Sequence, residues 1–447
     1  MSSDALLNIL TDLIKQAKKA GADAADAIVV DGASIGVTWR MGSLEHLERS
    51  EGGDIGLRVL IGKKQAIVAS SDRSKTALKE LVERAVAMAK SVPADPFIGL
   101  ADPSQIATWL PTLDICDTTE LTAKQLIAKA TEAEEAALAV KGVTNSEGAS
   151  AHWGMSQVAI ANSAGFHRSY QSSGSSFSCS VIAGDGKTGM ETDYDYTSAV
   201  YVSDLRPAAD IGRIAGERAV RKLGARKMKS GRYPVIFEPR VGRSFVSHVL
   251  GAINGAAIAR GTSFLKDSMM TEVFGPWVDI VEDPHRQRGT RSKPCDAEGL
   301  PNRRRHLIDG GVLKTWLLDL RSARKLGLEP TGHAARGPGS PPGPAATNVY
   351  MAAGNITAKG LMADIGQGLY VTDLVGQGVN GITGDYSRGA VGFWIENGEL
   401  THPVHEVTIA GNLKSMFRRL TPASDLEFRY GIDTPTIRID GMSLAGT

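Results

Sequence analysis

Cysteine is scarce in this chain: Cys116, Cys179 and Cys295 are the only three among 447 residues. They form no C-x-x-C pair and cannot build a disulfide framework, which fits a reducing cytoplasm. An excess of charge of either sign is also missing. Fifty Lys and Arg stand against 49 Asp and Glu, a formal net charge of +1. That balance provides no bulk attraction to nucleic acid or to an anionic membrane, so neither is an expected partner. No apolar run approaches the roughly 20 residues of a membrane helix. Asp4 and Asp12 interrupt the opening stretch, so no secretory leader is expected.

The usual hydrolytic signatures are equally thin. No nucleophile elbow is expected, and Cys295 near Lys293 has no placed base, so it is read as a plain thiol. His402, His405 and Glu406 read H-x-x-H-E, not H-E-x-x-H. Pro403 argues against a helix presenting both rings, and on a strand residues three apart face opposite ways. His248, beside Phe245 and Val249, is read as an interface histidine.

What is present is a repeated order of elements. A helix with Leu6, Leu10, Leu13 and Ile14 inward, capped by Ser3 or Asp4, precedes strand-like stretches between Ala27 and Ala69. A second helix runs from about Ser74 to Lys90. Glu45, Glu48, Arg49, Glu51 and Asp54 mark an exposed or edge segment. After a connector, Thr122 and Gln125 form a capping box opening another helix. Strands follow from Val143 to Val202, and a helix ends near Gly224. This is a structural duplication or one two-layer domain. The fold class is α+β, with a β-rich carboxy-terminal part. The expected divisions are 1–100, 101–228 and 229–447. One helix, Val241 to Ala259, interrupts the last part. Ala334 to Pro344 is too rich in Gly and Pro for regular structure and is expected to be functional or mobile.

The most informative stretch is Gly376 to Glu399. Gly376, Gly378 and Gly381 match G-x-G-x-x-G, but no helix opens after them to receive a pyrophosphate. Asn397-Gly398 is a strong hairpin signal, because both turn residues need positive φ. A β-meander with a glycine-rich turn is the expected outcome, and Asp385, Tyr386, Ser387 and Arg388 are the candidate substrate-binding residues. Phe393 and Trp394 alternate in facing, and an exposed aromatic there would mark an interface.

The blocks GLRVLIGKKQA, RGTSFLKD from Arg260, EDPHRQRGTRSKPCDAEGLPNRRR from Glu282 and GQGVNGITGDYSRGAVGFWIENGEL carry a resemblance. The whole chain resembles the TldD/PmbA family, once called modulators of DNA gyrase, on its PmbA (TldE) branch. The resemblance implies a cytoplasmic proteolytic system acting on unfolded peptides and peptide precursors. In it, a TldD-type subunit carries a zinc-binding HExxxH motif and a late cysteine. Registered on Arg260-Gly261-Thr262-Ser263, those ligand positions fall at Val246 and Gly251, the glutamate at Ser247 and the cysteine near Tyr430. The implied role is a non-catalytic partner with no metal of its own, zinc residing only in the TldD-type subunit. The alternatives are a homodimeric binding or regulatory protein, and an enzyme using Asp385, Tyr386 and Arg388 in other chemistry.

Overall fold

Residues 2–187 and 189–447 are described by the structure, a computed structural model. The first half is one antiparallel sheet with helices on it. Its strands are β1 (Ala24–Arg40), β2 (Ser43–Ile61), β3 (Lys64–Ser70), β4 (Val143–Asn162), β5 (His167–Asp185) and β6 (Gly189–Ala199). They lie in the order β3-β2-β1-β4-β5-β6. The β1–β4 ladder, running from Asp26↔Asn162 to Trp39↔Ala149, joins the two repeats edge to edge. The duplicated pattern therefore shares a single sheet. In β2 the stretch from Ser43 to Asp54 pairs only with β1, which makes it the exposed edge its acidic residues suggested.

Helices α1 (Ser3–Lys19) and α2 (Lys75–Ser91) cover the first repeat, and α3 (Ala123–Leu138) and α4 (Ala208–Arg221) the second. Each has its apolar residues at helical spacing, so burying one stripe on the sheet satisfies it. Leu6, Leu10, Leu13 and Ile14 of α1 are all buried. The cap of α1 is Ser2, one residue earlier than expected, accepting from the Ala5 amide at 3.3 Å. The capping box of α3 forms as read, Thr122 with Gln125. Gly212 lets α4 meet α3 closely: a Cβ there would collide with the Ala133 carbonyl.

The second half is rich in strands. β7 (Gly231–Phe237) lies parallel to Gln367–Val379, which forms a meander with Asp385–Glu396 and Glu399–Asn412. Ile437–Ala445 pairs with β7 on one side and with Glu399–Asn412 on the other, closing the sheet into a barrel. At Asn397 and Gly398 φ is +49° and +81°, as the hairpin turn requires.

Three expectations are corrected. The helix placed at Val241 to Ala259 is two: α5 (Pro239–Ala252) and α6 (Gly255–Arg260). Asn254 breaks the run because its side chain accepts from the Ala256 amide and caps the second piece. Phe393 and Trp394 do face opposite ways, but neither is exposed. Trp394 packs edge-on against Tyr233, and the Arg221 guanidinium of α4 lies 4.8 Å from the Phe393 ring centre. No exposed aromatic patch remains there to mark an interface. The Gly/Pro segment from Ala334 to Pro344 is a docked strap. Ala334 and Ala335 pair with Pro344 and Gly343, and buried Arg336 reaches across to Asp26 of β1. A buried ion pair offsets the ordering entropy that composition alone left unopposed.

Candidate functional site

The four candidate residues from sequence share one strand, so alternation divides them. Asp385 and Ser387 are exposed. Asp385 accepts from the Thr383 hydroxyl at 2.6 Å and the Asn412 amide at 3.0 Å, and these bonds hold its carboxyl below the usual range. Its work is to tie the glycine-rich turn. Tyr386 is buried, stacked on Phe245 of α5 at 5.6 Å. Arg388, half-buried on the same side, reaches a cleft of about 430 Å³ between the meander and α5.

Arg240, Arg243, Ser244, Ser247 and His248 of α5 line that cleft. Their spacing of three and four residues sets them on one helical face. Arg240 anchors the helix to the first sheet. Its guanidinium donates to Asp193 of β6 at 2.7 Å and to Glu238 at 2.8 Å. Arg243 donates to the Tyr196 hydroxyl at 2.8 Å, and its guanidinium lies over the Tyr430 ring. Among the described residues Arg388 makes only long contacts, 3.4 Å each, to the Leu374 and Val375 carbonyls. Burial, with the Arg388 charge second, holds His248 below its usual pKa and therefore neutral at physiological pH. Its Nε2 and the Ser244 hydroxyl are buried with no hydrogen-bond partner among the described residues. His248 does pack at the interface of α5 with the meander, edge-on to Phe245 and Tyr386, but its Nε2 is left unsatisfied among the described residues.

The positions matched to the family metal motif do not make a metal site. Val246 is fully buried in the core, packed away from the cleft. The Ser247 hydroxyl donates to the Arg243 carbonyl at 3.2 Å, and Gly251 offers no side chain. Tyr430 does line it, but its ring carries a guanidinium. A hydrocarbon, a hydroxyl, a glycine and a cation-bound phenol do not fit zinc, which takes thiolate, imidazole and carboxylate.

The remaining motifs are accounted for separately. His405 pairs with Glu191 at 3.3 Å and Glu406 with Lys227 at 2.5 Å, while His402 meets Thr401 and the Met228 sulfur. Burial pushes the Cys295 thiol up to about 12, which makes it inert. A G-x-S-x-G string does occur, Gly32 to Gly36, but it lies inside β1 with strands paired on both sides, so Ser34 stands on no elbow. The G-x-G-x-x-G match is a hairpin: a Cβ on Gly378 would collide with the Ser387 carbonyl. Asp279, His306 and Asp309 approach closely enough to hold a cation, but they lie at the surface. The Gly310 amide already donates to Asp279, and Lys314 sits 3.5 Å from Asp309. A larger concavity, about 680 Å³, lies over the first sheet, lined mainly by serine and glycine. Of these two, the cleft beside α5 is the one that gathers charge, and its charge is mostly of one sign: Arg240, Arg243, Arg291 and Arg388 against Asp373. Its signal in the sequence is the polar spacing Arg240, Arg243, Ser244, Ser247 and His248 within an otherwise apolar helix.

A helix-braced barrel joined to a long antiparallel sheet, with a cationic cleft on the helix that faces the meander, defines the class: a mixed α+β protein with a β-rich carboxy-terminal barrel. Sequence profiles of the PmbA/TldA metallopeptidase match its domain 1 at residues 25–89, its central domain at 116–223 and its C-terminal domain at 230–446. The chain belongs to the PmbA/TldD family. It is 38% identical over 428 residues to the metalloprotease PmbA of Escherichia coli O157:H7, covering 95% of this chain and 92% of the relative. It is 37% identical to the PmbA homologue of Haemophilus influenzae, over 97% and 94%. A Bacteroides thetaiotaomicron protein described as a candidate modulator of DNA gyrase superposes with a TM-score of 0.91 at 26% identity, over 98% of both chains. TldE of Thermococcus kodakarensis shares the fold, with a TM-score of 0.87 at 20% identity over 98% and 100%.

Proposed function

We propose that this chain is the non-catalytic, PmbA/TldE-type subunit of a cytoplasmic metalloprotease system, pairing with a TldD-type subunit that supplies zinc and the catalytic base. Its substrates are unfolded peptides and peptide precursors. The observation that carries the reading is what stands at the positions matched to the metal motif. Metal-assisted hydrolysis needs a Lewis acid and a base for the attacking water. The motif positions hold Val246, Ser247, Gly251 and Tyr430 instead. Arg243 and Arg388 add positive charge to the cleft, which opposes a dication. The contribution left to the subunit is enclosing substrate: an extended peptide crossing the cleft would meet cationic and hydrogen-bonding side chains.

The test is cleavage of an unstructured peptide by this chain alone, by a TldD-type chain alone and by the two mixed. The expected result is chelator-sensitive cleavage requiring the TldD-type chain and no cleavage by this chain alone. Chelator-sensitive cleavage by this chain, after contaminating protease is excluded, would overturn the proposal.

A further inference from the structure

The cleft beside α5 has a charge imbalance that peptide enclosure by itself does not require. Four arginines reach it: Arg240, Arg243, Arg291 and Arg388. Only Arg240 is neutralised, by Asp193 and Glu238. Arg243 is held by a phenol hydroxyl and two aromatic rings, Tyr196 and Tyr430. Arg291, at the rim, donates to the Ala346 carbonyl at 3.3 Å. Arg388 has its two long carbonyl contacts. Among the described residues none of these three makes an ion pair. Asp373 is the one carboxylate facing them, and it accepts from the Leu374 amide at 2.8 Å.

A second observation is independent of charge. Ser244 Oγ and His248 Nε2 line the same cleft, are buried and have no hydrogen-bond partner among the described residues. The Tyr386 hydroxyl, on the Arg388 side of its strand and 6.1 Å ring to ring from His248, is orphaned too. A buried polar group without a partner costs free energy unless something completes it. Guanidinium forks match a carboxylate, with two parallel N–H···O bonds, and hydroxyls supply further donors.

We propose that this cleft binds a peptide carboxylate, held by Arg388 and Arg243 with Ser244 completing the donor set. The inference rests on the reading of the chain as a peptide-handling subunit and gives that site its substrate chemistry. The carboxylate has two sources, the carboxy terminus of the peptide or an acidic side chain within it.

The experiment is calorimetric titration of the full chain, alone and mixed with a TldD-type subunit inactivated by chelation. Four unstructured peptides differ only in a free or amidated carboxy terminus and in Glu or Gln at one internal position. A terminal site binds the free acid roughly tenfold tighter than the amide, whichever internal residue is present. A side-chain site instead prefers Glu to Gln by a similar factor. Arg388→Gln should erase whichever preference is found. Ser244→Ala should weaken binding a few-fold without lowering the thermal unfolding temperature, because the hydroxyl it removes has no partner among the described residues. Equal binding of all four peptides overturns the proposal, as does tighter binding of a single-stranded oligonucleotide than of any peptide. Binding is read without hydrolysis. Loss of the carboxylate preference therefore leaves the cleavage result standing, and failed cleavage leaves the preference standing.

Discussion

The Arg243 guanidinium lies 4.8 Å from the centre of the Tyr430 ring, where the catalytic branch of the family is expected to place a thiolate. Tyr196 completes the arrangement: its ring centre is 4.8 Å from that of Tyr430, and its hydroxyl accepts from Arg243 at 2.8 Å. A fixed cation thus stacks on the side chain that stands near the position registered to the late cysteine. The purified chain, dialysed without chelator, should carry well under about 0.2 zinc per molecule by elemental analysis. About one zinc per chain, bound through side chains, would contradict this.

The strap gives a stability prediction. Asp26 is shared between Arg58 of β2 and Arg336 of the strap, all three buried. Removing one partner of a buried pair costs roughly 3–5 kcal/mol, but Arg58 remains, so Arg336→Ala should cost on the order of 2 kcal/mol in urea unfolding. Hydrogen exchange in residues 334–344 should be slow in the parent chain and faster in the variant. Fast exchange throughout the segment in the parent would show that the strap is not docked.

Acid should act through the same residue. Burial alone would raise the Asp26 pKa, but the charges of Arg336 and Arg58 outweigh it and hold it low. A depressed carboxylate stabilises the fold fully above its unfolded pKa of about 3.9, and that contribution is lost as pH falls through the lower folded value. Asp26→Asn should therefore flatten the loss of stability below about pH 4. An unchanged acid limb would remove Asp26 as its cause.

Glu298 works in the opposite direction. Burial, reinforced by the Asp296 charge, holds its carboxyl well above the usual range, and it accepts from the Leu320 amide at 2.8 Å. A raised carboxyl pKa means the folded state keeps a proton the unfolded state has released, so stability falls as pH rises above the unfolded value. Glu298→Gln keeps an acceptor for Leu320 and removes the titration. Its unfolding free energy should change less than that of the parent between about pH 6 and about pH 8. An identical slope in both would reject this.

Close backbone approach in the meander is testable at Gly378, whose Cβ would strike the Ser387 carbonyl. Gly378→Ala should destabilise by about 1–3 kcal/mol, as overpacking does. A neutral result by denaturant titration would mean that the two strands can part there without cost.

The sequence by itself determined the elements and the family. Periodic apolar residues specified α1 to α4, and Asn397-Gly398 specified the hairpin, because both are local effects of backbone and side-chain spacing. The blocks of resemblance identified the family without any contact being known. The break between α5 and α6 at Asn254 was also local, but the apolar periodicity on either side hid it. What needed the tertiary structure was every pairing across the chain. Arg336 gives no sign in sequence of meeting Asp26, 310 residues away. Phe393 looked available until Arg221 of α4 covered it. The candidate site shows the same division. Four adjacent residues suggested one constellation, but strand alternation sent Asp385 and Ser387 outward and brought only Tyr386 and Arg388 toward α5. Arg243, Ser244 and His248 joined them because a helix and a meander far apart in sequence pack around one core, and side-chain facing on both is decided by that packing.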